Sequence, residues 1–315
     1  CGLLFNTRSD MIVGANYLYR HLRKFGLLMH IGRGDIASKT EAVFFPGPRE
    51  TQADGDISGF EVADGFVSFT DEFKYLGSLI HNSLTANADV DQRITKATAA
   101  FGALRKCFFS NKHITPKDKG IVYTALCLSV LLYGSECWCL TEKLFDKLRG
   151  FHHRCVRAMC HVNMHTVIKF RLPTANLLYR LNIKSLDYYY NTRLLRWAGH
   201  VARMPMNRLP RKLLTGWVNH KRPRGGVQMT FGRTLNKALL SAKIPVSFDK
   251  WHAHAQDRVD WRRRIGLSKA NSKKNYNTKI TPNSVNYNNT KIPSNSVTKI
   301  MPKIPHLFPH YDYHY

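Results

Sequence analysis

The chain is 315 residues long, with 43% hydrophobic side chains, seven cysteines and a formal net charge of +27. That length allows one large domain or two small ones around a real core, while the longest apolar run, residues 121–133, is too short to cross a bilayer. An odd cysteine count with no signal peptide favours reduced thiols inside the cell, in cytoplasm or nucleus, over disulfides.

Charge is unevenly placed along the chain. Residues 1–100 hold 10 Lys and Arg against 12 Asp and Glu, and the remainder holds 38 against 9. The basic part is an electrostatic footprint for a polyanion, with nucleic acid favoured over anionic membrane. Taken in order, Ala15, Leu18, Leu22 and Phe25 recur at helical spacing over 10–28, and Gly26 is a stop signal. Two short extended pieces follow, 27–31 and 41–45, the second ended by Pro46, Gly47 and Pro48. Residues 50–66, rich in Gly and Asp, read as a surface loop or hairpin. Residues 66–69 and 73–80 are strand candidates, and Gly77 marks a tight turn within the second.

From Asp89 the pattern turns helical. Val90, Ile94, Ala97, Phe101, Leu104 and Phe108 form one apolar stripe, with Arg93, Lys96 and Arg105 off it. Thr115-Pro116 opens a second long helix, apolar nearly all round over 121–133 and so expected at the centre of a bundle. A third helix after Thr141 turns Leu144, Leu148, Phe151, Cys155 and Met159 inward and Lys143, Lys147, Arg154 and Arg157 outward. A fourth, over 184–203, carries Tyr190, Leu194, Trp197 and Val201 on one side and Arg193, Arg196, His200 and Arg203 on another. Basic loops, including Lys221 to Gly226, lead to two more helices near 230–242 and 251–265. From about residue 268 the composition shifts to Asn, Ser, Thr, Lys and Pro, which cannot bury enough apolar surface to fold. The whole pattern predicts an α+β fold: short strands and helix to about residue 85, a mainly helical region beyond, and a disordered tail.

The basic helix faces lack acidic partners, so phosphate contacts are expected there, with salt-dependent binding. No base-reading element is evident, and sequence specificity is not expected. Asp54-Gly55-Asp56-Ile57-Ser58-Gly59 imitates the start of a calcium loop, but its twelfth position is Gly65 rather than Glu, so an acidic turn is the better account. Cys137, Cys139, His152, His153, Cys155, Cys160 and His161 are zinc-ligand types, yet Cys137-x-Cys139 is tighter than a zinc knuckle and Cys155 falls on an apolar stripe, as a core cysteine would. Asp89 and Asp91, two apart on a helix, point to different sides and cannot hold a metal pair; Asp89 reads as a helix cap or first-turn acid. There is no Walker loop, hydrolase elbow or dinucleotide fingerprint.

Several stretches in order resemble one family. Gly26-Leu27-Leu28-Met29-His30 through Ser38-Lys39-Thr40-Glu41, the hairpin from Phe73 to Ile80, and Asp91-Gln92-Arg93-Ile94 come first. Tyr133-Gly134-Ser135-Glu136-Cys137-Trp138 and Phe151 with Cys155-Val156-Arg157 follow. Leu195-Arg196-Trp197-Ala198-Gly199-His200-Val201-Ala202-Arg203-Met204 and Ala255-Gln256-Asp257-Arg258-Val259-Asp260-Trp261-Arg262 complete the series. Over roughly residues 3–265 the chain is similar to the C-terminal part of the reverse transcriptases of non-LTR (LINE-type) retrotransposons. The resemblance implies the end of a palm with a primer-grip hairpin over 1–85, a helical thumb over 86–170, a basic helical region over 171–267 and a tail over 268–315.

It also implies a parent activity, RNA-templated DNA synthesis with Mg²⁺, whose metal-binding aspartates belong upstream of Leu3. With Cys1 in place of an initiating Met, the chain reads as a piece of a longer protein. No catalytic residue, metal ligand or bound cofactor is therefore expected within it, and no membrane or small-molecule partner. The expected partner is an RNA and DNA primer–template duplex. Tyr75, Leu76 and Gly77 are expected at the primer end, and Lys39 near the incoming triphosphate. Arg93, Lys96, Arg105, Arg193, Arg196 and Arg203 are candidate backbone contacts. Two alternatives stand beside this reading: a basic nucleic-acid-binding module organised by zinc, without polymerase ancestry, and a degenerate coding relic.

Overall fold

The computed structural model describes residues 2–45, 59–216 and 229–266. Cys1, the strand stop at Pro46 to Pro48, the acidic turn from Asp54 to Ser58, the basic loop from Lys221 to Gly226 and the tail from residue 268 lie outside the described residues.

Helix α1 (Arg8–Lys24) starts where the Thr7 side chain caps the Asp10 amide, and the chain turns away at Gly26, whose φ of 71° suits glycine. Its inward residues are Met11, Ile12, Ala15 and Tyr19, and Phe25 is exposed. The expected row through Phe25 fails because the helix ends at Lys24, leaving Phe25 beyond the last turn. Under α1 lie three short strands, β1 (Glu41–Ala42), β2 (Phe60–Val62) and β3 (Gly65–Phe69), in the order β1-β3-β2. β3 pairs parallel with β1 and antiparallel with β2, and it alternates so that Val67 meets Val62, Phe60 and Ile31 in a small core. Residues 27–31 form no strand; Gly32 makes only an isolated bridge to Phe66.

The predicted hairpin is present. β4 (Glu72–Tyr75) pairs antiparallel with β5 (Ser78–His81), with Tyr75 opposite Ser78. The connecting residues Leu76 (φ 47°) and Gly77 (φ 88°) are both left-handed, the geometry of a two-residue turn that follows the strand twist.

Helix α2 (Asn87–Leu104) buries Val90, Ala97 and Phe101, as the apolar stripe predicts. It runs into a π-helical segment, Arg105–Phe109, and a second one, Tyr123–Leu128, joins α3 (Pro116–Val122) to the single turn α4 (Ser129–Leu131). This central stretch was expected to be buried all round. It is not: Tyr123, Cys127, Leu128 and Leu131 are inside while Ile121 and Leu126 face solvent. Helix α5 (Glu142–Met159), capped by Thr141, carries Leu144, Leu148, Phe151, Cys155 and Met159 inward as predicted. Two helices not expected from sequence, α6 (Met164–Lys169) and α7 (Thr174–Arg180), lead to α8 (Leu186–Ala202).

Beyond α8 come α9 (Leu209–Thr215), α10 (Phe231–Ser241) and α11 (Phe248–Gln256), then a further helical stretch over 258–266. The single helix expected near 251–265 is broken at Asp257, whose backbone is extended. The break lets Trp261 turn back onto α8. Its indole donates to the Leu195 carbonyl (2.9 Å), and its ring fills the space a side chain at Gly199 would need. Arg203 donates to the Ala255 carbonyl (2.6 Å) and Gln256 to the Ala202 carbonyl (3.1 Å). One contiguous core thus runs from Val90 to Ile265, separate from the small core under α1. The fold is α+β, and no helix among the described residues is long and apolar enough to cross a membrane.

Candidate nucleic-acid interface

The hairpin is fastened to the helical body by the side chains of Arg93, Asp89 and Tyr133. Arg93 lies on α2, one turn after Asp89, and both are about 95% hidden from solvent, with 5% and 4% exposed. The Arg93 guanidinium sits 3.5 Å from the Asp89 carboxylate through Nε. Its Nη2 donates to the Gly77 carbonyl (2.5 Å), and its plane lies 4.4 Å from the centre of the Tyr133 ring. Asp89 accepts from the Leu79 amide (3.1 Å) and from the Trp138 indole (2.8 Å). The Tyr133 hydroxyl donates to the Leu76 carbonyl (2.9 Å). A charged pair this deep persists only when its remaining donors and acceptors are also engaged, and here most are.

Glycine is required at two places in this joint. At Gly77 the positive φ excludes an ordinary side chain without strain. At Gly134 (φ 72°) a Cβ would stand 2.6 Å from the Ser78 hydroxyl, so the loop after Tyr133 closes directly onto the hairpin. With both turn carbonyls held from behind, Tyr75 and Leu76 project outward, 45% and 77% exposed. The amides of the two central turn residues lie outside the ladder that ends at Tyr75 and Ser78. Beside Tyr75 runs the backbone at Gly2, where a Cβ would be 3.4 Å from the Tyr75 ring.

The expected cations divide into three kinds. Lys96 is at the joint, half-buried, and Nζ donates to Gln92 (2.7 Å). Desolvation, then the charges of Arg93 and Lys74, hold its ammonium below the ordinary lysine range, with Asp89 opposing. Lys74, exposed on β4, therefore belongs with it, and helix patterning alone could not find it because it lies on a strand. Arg93, Arg193 and Arg203 are engaged by the protein itself. Arg93 points inward as described. Arg193 donates to the Leu132 carbonyl (3.2 Å) and pairs with Glu136 (3.6 Å). Arg203 is held on Ala255, and burial, then Arg258 and Arg262, lower its pKa. Arg196 is exposed one turn beyond Arg193, and Arg105 is exposed at the far end of α2. Lys39 is exposed beside β1, its amide bonded to His30 (3.2 Å), and takes no part in the contacts around the turn.

Asp89, Tyr133, Gly134 and Ser78 were not singled out from the sequence as parts of this joint. The one available signal was the spacing of Asp89 and Arg93, four apart with opposite charge.

The cysteines and histidines do not converge. No group of three or more His, Cys, Asp or Glu that could hold a metal is present among the described residues. His152 is buried and bonded to the Tyr123 hydroxyl (2.9 Å), and burial, then His153, pushes its pKa down to about 4. Cys155 is buried in the core, which pushes its thiol up to about 12. A thiol this reluctant to ionise packs as an apolar group.

No family model matches this chain, and no solved structure matches it. It is 26% identical over 277 residues to a Caenorhabditis elegans protein named as transposon-derived, an alignment that covers 85% of this chain and 91% of that protein. The likeness spans nearly the whole of both chains and points to a transposon origin for this one.

Proposed function

We propose that this chain is the nucleic-acid-gripping part of a retrotransposon reverse transcriptase of the non-LTR type, holding a primer–template duplex without itself carrying the polymerase aspartates. The observation that carries this reading is the Leu76–Gly77 turn, fastened from behind by Arg93 and Tyr133 and flanked by Lys74 and Lys96. A turn fixed in this way offers two amides outside the strand ladder at low conformational cost, which suits the terminal phosphate of a strand. The sequence resemblance, the packing of Gly2 against Tyr75 and the transposon-derived relative all support it. Arg93 acts as a positioning residue, Tyr75, Leu76 and Gly77 touch the strand end, and Lys74 and Lys96 face its backbone. Mg²⁺ belongs to the upstream catalytic site of the parent enzyme, and no step assigned to this chain uses it.

The test is anisotropy titration of labelled RNA–DNA hybrid with a recessed DNA 3′ end, against the blunt hybrid, across a salt series. The logarithm of affinity should fall linearly with that of salt, and K74E/K96E should make the slope shallower by about 1.8, roughly 0.9 per phosphate contact. G77V should remove preference for the recessed end while leaving blunt-duplex binding. A flat salt response, or equal binding of both ends by the unmodified chain, would overturn the reading. The purified chain should extend no primer with Mg²⁺ or Mn²⁺; extension would place the metal-binding acids within it.

A further inference from the structure

A second cationic feature lies at the other end of α2. Arg105 from the π segment and Ser110 just after it meet Arg154 and Arg157 from the end of α5 and His161 just beyond it, around an open cleft of about 500 Å³. Val162, Asn163 and Met164 close one side of it. Along α2, Arg105 is 12 residues beyond Arg93, a rise of about 18 Å, so the cleft is separate from the hairpin joint.

Three arginines meet in this cleft, and no acid is among its lining residues. In the first half of α5 two cations are paired, Lys147 with Asp91 (2.8 Å) and Arg149 with Asp146 (2.8 Å) and Asp187 (2.5 Å). In the second half, Arg154 and Arg157 have no carboxylate within 4.0 Å among the described residues, and neither does Arg105. Behind the rim, Lys119 is 2% exposed and its ammonium lies 3.2 Å from the His161 ring. The His161 imidazole is held below its ordinary range by desolvation, then by Lys119, Lys112 and Arg180. Cations crowded together without an acid repel one another, and an anion seated among them removes that repulsion while releasing counterions. Guanidinium groups from two elements suit phosphate oxygens, and Met164 and Val162 offer apolar surface to a sugar or base edge.

We propose that this cleft binds the phosphate backbone of a nucleic-acid strand, as a site independent of the primer end. Its occupant needs neither a recessed terminus nor a duplex. The site therefore stands whether or not the hairpin grips a primer.

The experiment uses the full chain and a labelled single-stranded RNA without a duplex end. R154E/R157E should weaken binding tenfold or more at low salt and make the salt slope shallower by about 1.4, roughly 0.7 for each lost contact on a single strand. R20E/K24E on α1, with the same change in net charge, should leave the slope as it is. In the unmodified chain, the RNA should protect Arg154 and Arg157 from phenylglyoxal, read by peptide mass spectrometry, which keeps the test decisive if the double variant does not fold. Equal slopes for R154E/R157E and the unmodified chain, or modification of both arginines unaffected by saturating RNA, would overturn the site. So would protection by phosphatidylserine vesicles but not by RNA, which would assign the cleft to a lipid headgroup.

Discussion

Removal of the Arg93 guanidinium tests the hairpin joint most directly. R93A deletes one partner of a buried pair and leaves Asp89, 4% exposed, as an uncompensated carboxylate. Such losses run at about 3–5 kcal/mol. Asp89 keeps the Leu79 amide and the Trp138 indole as donors, which places this case near the lower end, about 3 kcal/mol. The lost stacking over Tyr133, at 4.4 Å, adds about 0.5–1 kcal/mol. The sum, about 3.5–4 kcal/mol, lowers a melting temperature by about 7–16 °C for a body of this size, at about 2–4 °C per kcal/mol. Equilibrium urea unfolding of R93A, D89A and the double variant measures it. The two single losses should couple by about 2 kcal/mol or more, because each removes the partner of the other. Hydrogen exchange at Ser78 and Leu79 should accelerate in R93A as the hairpin comes loose. A loss below about 1 kcal/mol, or simple additivity, would refute the claim that this pair holds the turn.

Two other outcomes follow from buried contacts. G199A drives a methyl into the Trp261 ring and should destabilise the helical body by about 1–3 kcal/mol, with a shift in tryptophan emission; an unchanged midpoint would mean the ring packs elsewhere. His152, held down at about 4 against an ordinary 6.5, binds fewer protons folded than unfolded between those two pH values. Its contribution is therefore fully present above about pH 6.5 and is lost as pH falls toward about 4, a difference of about 3 kcal/mol across the window. Urea midpoints should rise from about pH 4.5 to about pH 7 in the parent chain and rise less in H152Q; identical pH profiles for the two would remove His152 as the cause.

Local signals carried much of the architecture. Thr115-Pro116 and Thr141 mark their helices, the stripe from Val90 to Phe101 faces the core, and Gly77 sits in the turn. Long-range packing was less legible. Arg93 falls off the apolar stripe, so a helical projection assigns it to solvent. Its long side chain instead reaches back to Asp89 and Gly77, and only the tertiary position of the hairpin draws it inside. Arg193 and Arg203 went the same way, each captured by a carbonyl more than 50 residues distant in sequence. The π segments were illegible for another reason: a change from 3.6 to a wider turn leaves no compositional mark. Two of the sequence stretches quoted for family resemblance turn out to touch each other, Trp261 against Gly199, which no spacing rule within either stretch announces.

That last contact has a consequence for a ribosome at work. The groove at Gly199 waits for an indole encoded about 60 residues later, which at about 5–20 residues per second means several seconds of waiting. Meanwhile the space at Gly199 stands empty and the Leu195 carbonyl lacks its indole donor. A nascent chain paused in that interval offers a greasy slot to chaperones, and a premature stop before Trp261 leaves the slot open for good.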